Sequence, residues 1–167
     1  MEAQIEQQTR KLALAKYLEC GAEDIKVLGE DTQLGIGSKE YLVLTDEEAD
    51  GFAKNYIENS IWAFNASFIL SECDLPSELE ECIQGFQEKE CEGANDALLA
   101  LVEKCCGLET FVEDAIRSDG RGHFLASYDN EENEIELKAP DDEKEAEEFY
   151  DQSGGEETLT FYIYRTN

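Results

Sequence analysis

The stretch TDEEADGFAKNYIENSIWAFNASFIL, residues 45–70, decides how this chain folds. Thr45 followed by Glu48 is a capping-box start, in which hydroxyl and carboxylate each satisfy an orphan backbone N–H. Asp46, Glu47 and Glu48 put negative charge in the first turn, where the helix dipole favours it. Ala49, Phe52, Ala53, Tyr56, Ile57, Ile61, Phe64 and Phe68 then recur at helical spacing. That spacing predicts one apolar face over about seven turns, at roughly 3.6 residues per turn. Trp62 and Ile69 lie off this face, so the second half is expected to be packed on more than one side. Gly51 is a mild weakness, costing about 1 kcal/mol relative to Ala. The expectation is a single long central helix.

Upstream of it, residues 3–19 read as an amphipathic helix. Ile5, Leu12, Ala13, Tyr17 and Leu18 lie near one side, with Gly21 as the stop. The period then changes. Residues 25–28, 33–36 and 40–44 read as short strands separated by turns at Gly29-Glu30-Asp31 and Gly37-Ser38. This predicts a β-meander that feeds the central helix.

Downstream, Asp74-Leu75-Pro76-Ser77 is a helix entry. Leu79, Cys82, Ile83 and Phe86 follow at helical spacing, with Cys82 expected in the core. Residues 97–104 form the next helix, capped by Asn95 or Asp96, and Leu108, Phe111, Val112, Ala115 and Ile116 mark a last short one. Ser118-Asp119-Gly120-Arg121-Gly122 reads as a tight turn. Residues 134–137 alternate and 159–164 are rich in β-formers, so they are candidates to pair with each other and with the N-terminal strands. Between them, residues 140–157 form an acidic loop or insertion, either mobile or carrying a short helix over 142–150. The reading is a single domain, 1–167, of α+β class. It has a helical core around one long central helix and a small antiparallel sheet built from N- and C-terminal strands.

A chain of 167 residues is long enough for a real core. Its unusual quantity is charge: 41 acids against 13 bases, a net −28. Self-repulsion at that level costs stability unless a partner neutralises it. It argues against direct binding to nucleic acid or to an anionic membrane, both of which need a basic surface. No run approaches the roughly 20 apolar residues of a membrane span, and the N-terminus lacks a signal-peptide pattern. A cytosolic location is expected, and the six cysteines are then read as reduced thiols.

Signals for chemistry are poor. His123 is the only histidine and cannot alone supply a zinc site. As a general base it has no Ser or Cys partner identifiable by spacing, and it reads as a turn-packing imidazole beside Phe124 and Tyr128. No C-x-x-C occurs. Gly35-x-Gly37 and Gly120-x-Gly122 are too short for a phosphate cradle. Residues 129–134 carry oxygen ligands but lack the glycine of an EF-hand loop. Carboxylates are so abundant that no pair singles out a glycosidase or nuclease. No catalytic residue, metal or cofactor is expected.

The acid clusters remain. One comprises Asp129, Glu131, Glu132, Glu134, Glu136, Asp141, Asp142, Glu143, Glu145, Glu147, Glu148 and Asp151, with Lys138 and Lys144 against it. A second comprises Glu72, Asp74, Glu78, Glu80, Glu81, Glu88, Glu90 and Glu92. The bland reading is a solvated surface that promotes solubility. The sharper one is imitation of DNA phosphates, which present one charge per roughly 1.7 Å of duplex axis. Trp62, Phe149 and Tyr150 are candidate hydrophobic anchors, if exposed.

Two segments also carry a resemblance. Glu40-Tyr41-Leu42-Val43-Leu44-Thr45-Asp46-Glu47-Glu48-Ala49-Asp50, running into Tyr56-Ile57 and Ser60-Ile61-Trp62-Ala63-Phe64-Asn65, is one. Asp119-Gly120-Arg121-Gly122-His123-Phe124-Leu125-Ala126-Ser127-Tyr128-Asp129, with the closing Phe161-Tyr162-Ile163-Tyr164-Arg165, is the other. Together they resemble small acidic proteins of tailed bacteriophages and prophages. In size and acidity the chain is also similar to phage anti-restriction and anti-CRISPR proteins that mimic DNA. The first resemblance implies a phage accessory protein and brings with it no known active site. With the charge, the two resemblances lead to one expectation: a non-enzymatic inhibitor of a host CRISPR or restriction complex, acting in the host cytoplasm on a basic channel through residues 129–157, with residues 72–92 as the second choice. The alternatives are an adaptor that binds a basic host or virion protein, and a small enzyme centred on His123.

Overall fold

The computed structural model describes residues 7–141 and 143–167, and it is α+β. Eight helices and a five-stranded antiparallel sheet are assigned among these residues. The chain divides into two compact units. One runs up to Asp50 and resumes over Arg121–Asn167; the other is Gly51–Gly120.

The first unit holds the sheet. Strands β1 (Lys26–Val27), β2 (Gln33–Ile36) and β3 (Lys39–Leu44) form the expected meander. Strands β4 (Asn133–Lys138) and β5 (Thr158–Arg165) come from the C-terminal part, and the order is β1-β2-β3-β5-β4. Thus the two ends of the chain meet where β3 pairs with β5, with Val43 opposite Ile163. The β2–β3 hairpin closes on Ile36 opposite Lys39, leaving a two-residue loop. Gly37 occupies its first position at φ +61°, the left-handed conformation that such loops demand.

Alternation along the strands sorts side chains to two faces. Tyr41, Val43, Phe161 and Ile163 face one way and pack with Ala13, Leu14 and Ala15 of α1 (Gln7–Leu18). Leu44 and Tyr164 are buried on the other face, where α7 (Arg121–Leu125) contributes buried Phe124 and Leu125. Helix α1 differs from its expected register. Leu12 is 47% exposed, whereas Arg10 is only 4% exposed. The reason is Glu48, whose carboxylate receives two charge-assisted bonds from Arg10, at 2.6 and 2.8 Å. The helix also stops before Gly21. Glu19 takes a left-handed φ of +53°, and the Cys20 N–H bonds back to the Ala15 carbonyl. Ile5 lies outside the described residues.

The second unit is helical, and here the single long central helix is not found. Helix α2 (Asp46–Ser60) gives way to a 3-10 turn over Ile61–Ala63, then to α3 (Ala66–Glu72). Phe64 and Asn65 between them are extended, with ψ of 151° and 130°. Two distant side chains take up the freed backbone groups. Asn95 donates to the Glu58 carbonyl at 2.8 Å and accepts from the Trp62 N–H at 3.3 Å. The Gln87 amide donates to the carbonyls of Trp62 and Phe64 at 2.9 and 2.8 Å. The break lets Ile57, Ile61, Ile69 and Leu70 all be buried, which a straight rod with residues on two sides does not offer.

After a 3-10 turn at Ser77–Leu79 come α4 (Glu80–Glu90), α5 (Asn95–Cys105) and α6 (Leu108–Asp119). Phe111 of α6 packs against Phe64 and Phe68, with ring centroids 5.5 and 5.4 Å away. Cys82, expected in the core, is exposed, because α4 buries none of its residues. The 118–122 segment is not a free-standing turn. Helix α6 runs to Asp119, Gly120 reverses the chain at φ +77°, and α7 starts at once. Gly122 is required there by close approach: a Cβ would lie 2.5 Å from the Asn130 carbonyl oxygen.

Candidate functional site

The acids of the first cluster fall on three successive stretches of the first unit. Between α7 and β4, Asp129 and Glu131 are exposed, and the Asp129 carboxylate accepts the Glu131 N–H at 3.1 Å. On β4, alternation turns Ile135 and Leu137 toward α1 and leaves Glu134, Glu136 and Lys138 exposed. β4 is an edge strand, where charged side chains oppose pairing with another chain. Lys16 of α1 donates to the Glu136 carbonyl at 2.6 Å.

The 140–157 segment carries helix α8 (Glu143–Ser153). Glu143 and Glu145 lie in its first turn, where the dipole favours them. Asp141, Glu143, Glu145, Glu147, Glu148 and Asp151 are exposed, and Asp142 lies outside the described residues. Phe149, 8% exposed, faces inward, and Gln152 accepts a hydrogen bond from Thr9 of α1 at 2.6 Å. At the base of α8, the Ala139 N–H bonds to the Glu157 carbonyl at 2.9 Å. Of the candidate anchors, Phe149 is buried, Trp62 is half-buried and Tyr150 is 38% exposed.

Glu132 stands apart from its neighbours because it faces Arg121. It accepts from the Arg121 Nε and Nη2 at 2.8 and 3.1 Å, and from the Tyr164 hydroxyl at 2.5 Å. Arg121 also reaches Asp46 at 2.8 Å and Asp50 at 3.0 Å, and it stacks 4.4 Å over the Tyr162 ring. Its side chain is 11% exposed. Burial works against the guanidinium charge, but the bonds to Glu132 and Asp46 more than compensate and raise its pKa. Burial, reinforced by the Glu132 carboxylate, raises the Tyr164 hydroxyl and keeps it a donor. Sequence reading missed this hub. Its parts lie at positions 46, 50, 121, 132, 162 and 164, with no shared spacing. The one available signal was scarcity, since the chain has only four arginines. Arg10 is buried and Arg121 half-buried in carboxylate contacts, and Arg165 stacks 3.4 Å over the Tyr128 ring.

The second acid cluster belongs to the other unit. Asp74, Glu78, Glu81, Glu88, Glu90 and Glu92 are exposed around α4, while Glu72 and Glu80 are half-buried. Burial and the neighbouring Asp114 carboxylate raise the Glu72 carboxyl above its ordinary value. His123 is exposed on α7, its ring edge-on to Phe124 with centroids 5.0 Å apart. Among the described residues, no group of three or more His, Cys, Asp or Glu side chains is placed to hold a metal ion. No described helix is long and apolar enough to cross a membrane. No family model, curated protein or solved structure matches the chain.

Proposed function

We propose that this protein is a non-enzymatic phage inhibitor of a host nucleic-acid-binding defence complex, a CRISPR effector or a restriction enzyme. It occupies a Lys/Arg-lined channel in the host cytoplasm through carboxylates that stand in for phosphates. The observation that carries this reading is the distribution of charge in the first unit. Glu134, Glu136, Glu143, Glu147 and Glu148 are exposed, while Arg10 and Arg121 are turned into internal contacts. Lys138 and Lys144 are the lysines within the 129–157 stretch. Such a surface speeds association with a basic partner and loses affinity as salt rises. Glu132 is also exposed, and it holds Arg121 and Tyr164 as well.

The test combines competition with charge reversal. Immobilised protein at low salt should capture from a bacterial lysate a nucleic-acid-binding complex that duplex DNA displaces. The combined variant Glu134→Lys, Glu136→Lys, Glu143→Lys, Glu147→Lys should lose that capture by at least tenfold while keeping the native circular dichroism spectrum. Capture that resists DNA favours an adaptor for a basic protein instead. Undiminished capture by the folded variant removes the 129–157 surface from the interface.

A further inference from the structure

The sheet ends on two edge strands of unequal length. β1 offers Lys26 and Val27 alone, whereas β4 offers six residues, Asn133–Lys138. β4 pairs with β5 on one side, and among the described residues no strand lies on its other side. Which of its backbone groups face that open side follows from the register. The Ala139 N–H bonds to the Glu157 carbonyl at 2.9 Å, one step beyond Lys138 opposite Thr158. Antiparallel partners alternate between exchanging both hydrogen bonds and exchanging none. Leu137, Ile135 and Asn133 therefore bond to β5, while Lys138, Glu136 and Glu134 turn their N–H and C=O groups outward. Lys16 agrees with this, its ammonium reaching the Glu136 carbonyl from α1 at 2.6 Å. The side chains of the same three residues are exposed, whereas Ile135 and Leu137 pack toward α1. β4, α1 and α8 all belong to the first unit.

We propose that the open edge of β4 is a strand-docking site, on which an extended basic segment of a partner protein adds as a further antiparallel strand with lysine or arginine opposite Glu134 and Glu136. The backbone of Glu134, Glu136 and Lys138 supplies donors and acceptors already held in strand geometry, which is what strand addition needs. The side chains choose the partner. Residues directly opposite each other across an antiparallel pair stand about 5 Å apart, so opposite charges attract and like charges repel. Glu134 and Glu136, with Asp129 and Glu131 before the strand and Asp141 and Glu143 after it, exclude an acidic strand and favour a basic one. A second copy of this chain is disfavoured for the same reason, since each copy carries a net −28. The charges that keep ordinary strands off this edge thus admit one of complementary sign. Lys16 is exposed, and it swings away when an incoming amide takes the Glu136 carbonyl. Such docking deepens the reading above, resting on it only for the partner's basic character.

The probe is a dye-labelled peptide, acetyl-Val-Lys-Val-Lys-Val-Lys-Val-amide. Its anisotropy is followed with the full chain in about 150 mM salt, where diffuse attraction is screened beyond about 8 Å. With its lysines opposite the acids, the lysine N–H groups face β4 and the valine N–H groups face away. N-methylation of the lysines should therefore weaken binding about tenfold or more, and N-methylation of the valines by less than about threefold. On the protein side, Glu136→Pro deletes an outward N–H that β5 does not use. It should bind the peptide about tenfold more weakly than Glu136→Gln, which has the same charge. Circular dichroism of both variants reports their folding, and the peptide series decides alone where Glu136→Pro is unfolded. In the bound wild type, amide exchange at Glu134, Glu136 and Lys138 should slow, while Ile135 and Leu137 stay as they were. Equal binding of the three peptides, or no saturable binding, overturns the proposal. So does a peptide-free dimer that Glu136→Pro dissolves, which gives the edge to a second copy. Edge pairing without DNA-displaceable capture from lysate removes the defence-complex reading alone, and capture without edge pairing removes the docking site alone.

Discussion

Glu48 is the residue on which most depends locally. Its carboxylate accepts the Thr45 N–H at 2.8 Å, the Glu48 N–H returns to the Thr45 hydroxyl at 3.3 Å, and Arg10 completes the arrangement. The capping box was legible because Thr45 and Glu48 are three residues apart. The buried arginine was not, because Arg10 is 38 residues away. Glu48→Ala removes the cap and leaves Arg10 buried without its charge partner. Breaking such a pair costs about 3 kcal/mol, the lower end of the range because Glu48 keeps some solvent access. Urea unfolding measures it, and a loss below about 0.5 kcal/mol would show the pair to be idle. The pH dependence has a definite sign. Burial raises the Glu48 carboxyl, but the bonds from Arg10 and Thr45 outweigh it and hold the group below its ordinary 4.5. Its contribution is complete above that value and is lost as pH falls through the lower, folded-state pKa. The stability gap between wild type and Glu48→Gln should therefore be constant near neutrality and shrink below pH 4.5.

At the scale of elements, the instructive case is the break between α2 and α3. Apolar residues at helical spacing continue from Ala49 to Phe68, so periodicity alone argues for one rod. A helix and a broken helix with the same apolar spacing differ by a few backbone hydrogen bonds. Whichever conformation satisfies its polar groups wins. Asn95 and Gln87 supply those partners from another part of the chain, and no local pattern announces them. Asn95→Ala should cost about 1–3 kcal/mol, the range for leaving part-buried donors and acceptors unpaired. Asn59→Ala, which loses only exposed contacts with Asn55 one turn away, should cost under about 0.5 kcal/mol. Denaturant midpoints of the two variants decide the matter; equal losses would mean that Asn95 does not hold the break open. The strands were easier to read. Alternation and the Gly37-Ser38 turn are properties of adjacent residues, and β2 and β3 formed close to where they were expected.

For the whole molecule the governing quantity is the net charge of −28. With the two most buried arginines already engaged by carboxylates, added salt has little stabilising attraction to screen and much repulsion to relieve. Raising sodium chloride from about 20 mM to about 500 mM shortens the screening length from roughly 20 Å to roughly 4 Å. The melting temperature should rise by several degrees. A flat or falling melting curve would mean that the acids are too widely spaced to repel one another. The same salt should weaken the proposed partner complex, so stability and binding move in opposite directions.

What the sequence by itself determined is what depends on neighbours along the chain. The α+β class, the meander, the capping box, the anionic character and the outward acids of β4 all follow from local spacing or from composition. Tertiary structure alone decided the rest. It set Arg10 and Arg121 inward, gave Glu132 its contacts with Arg121 and Tyr164, broke the central helix after Ser60 and left Cys82 exposed. The first three share a physical reason. An inward-turned charge or an interrupted helix persists only where a complementary group is delivered by a distant part of the chain. That delivery is a property of packing, and residue spacing does not record it.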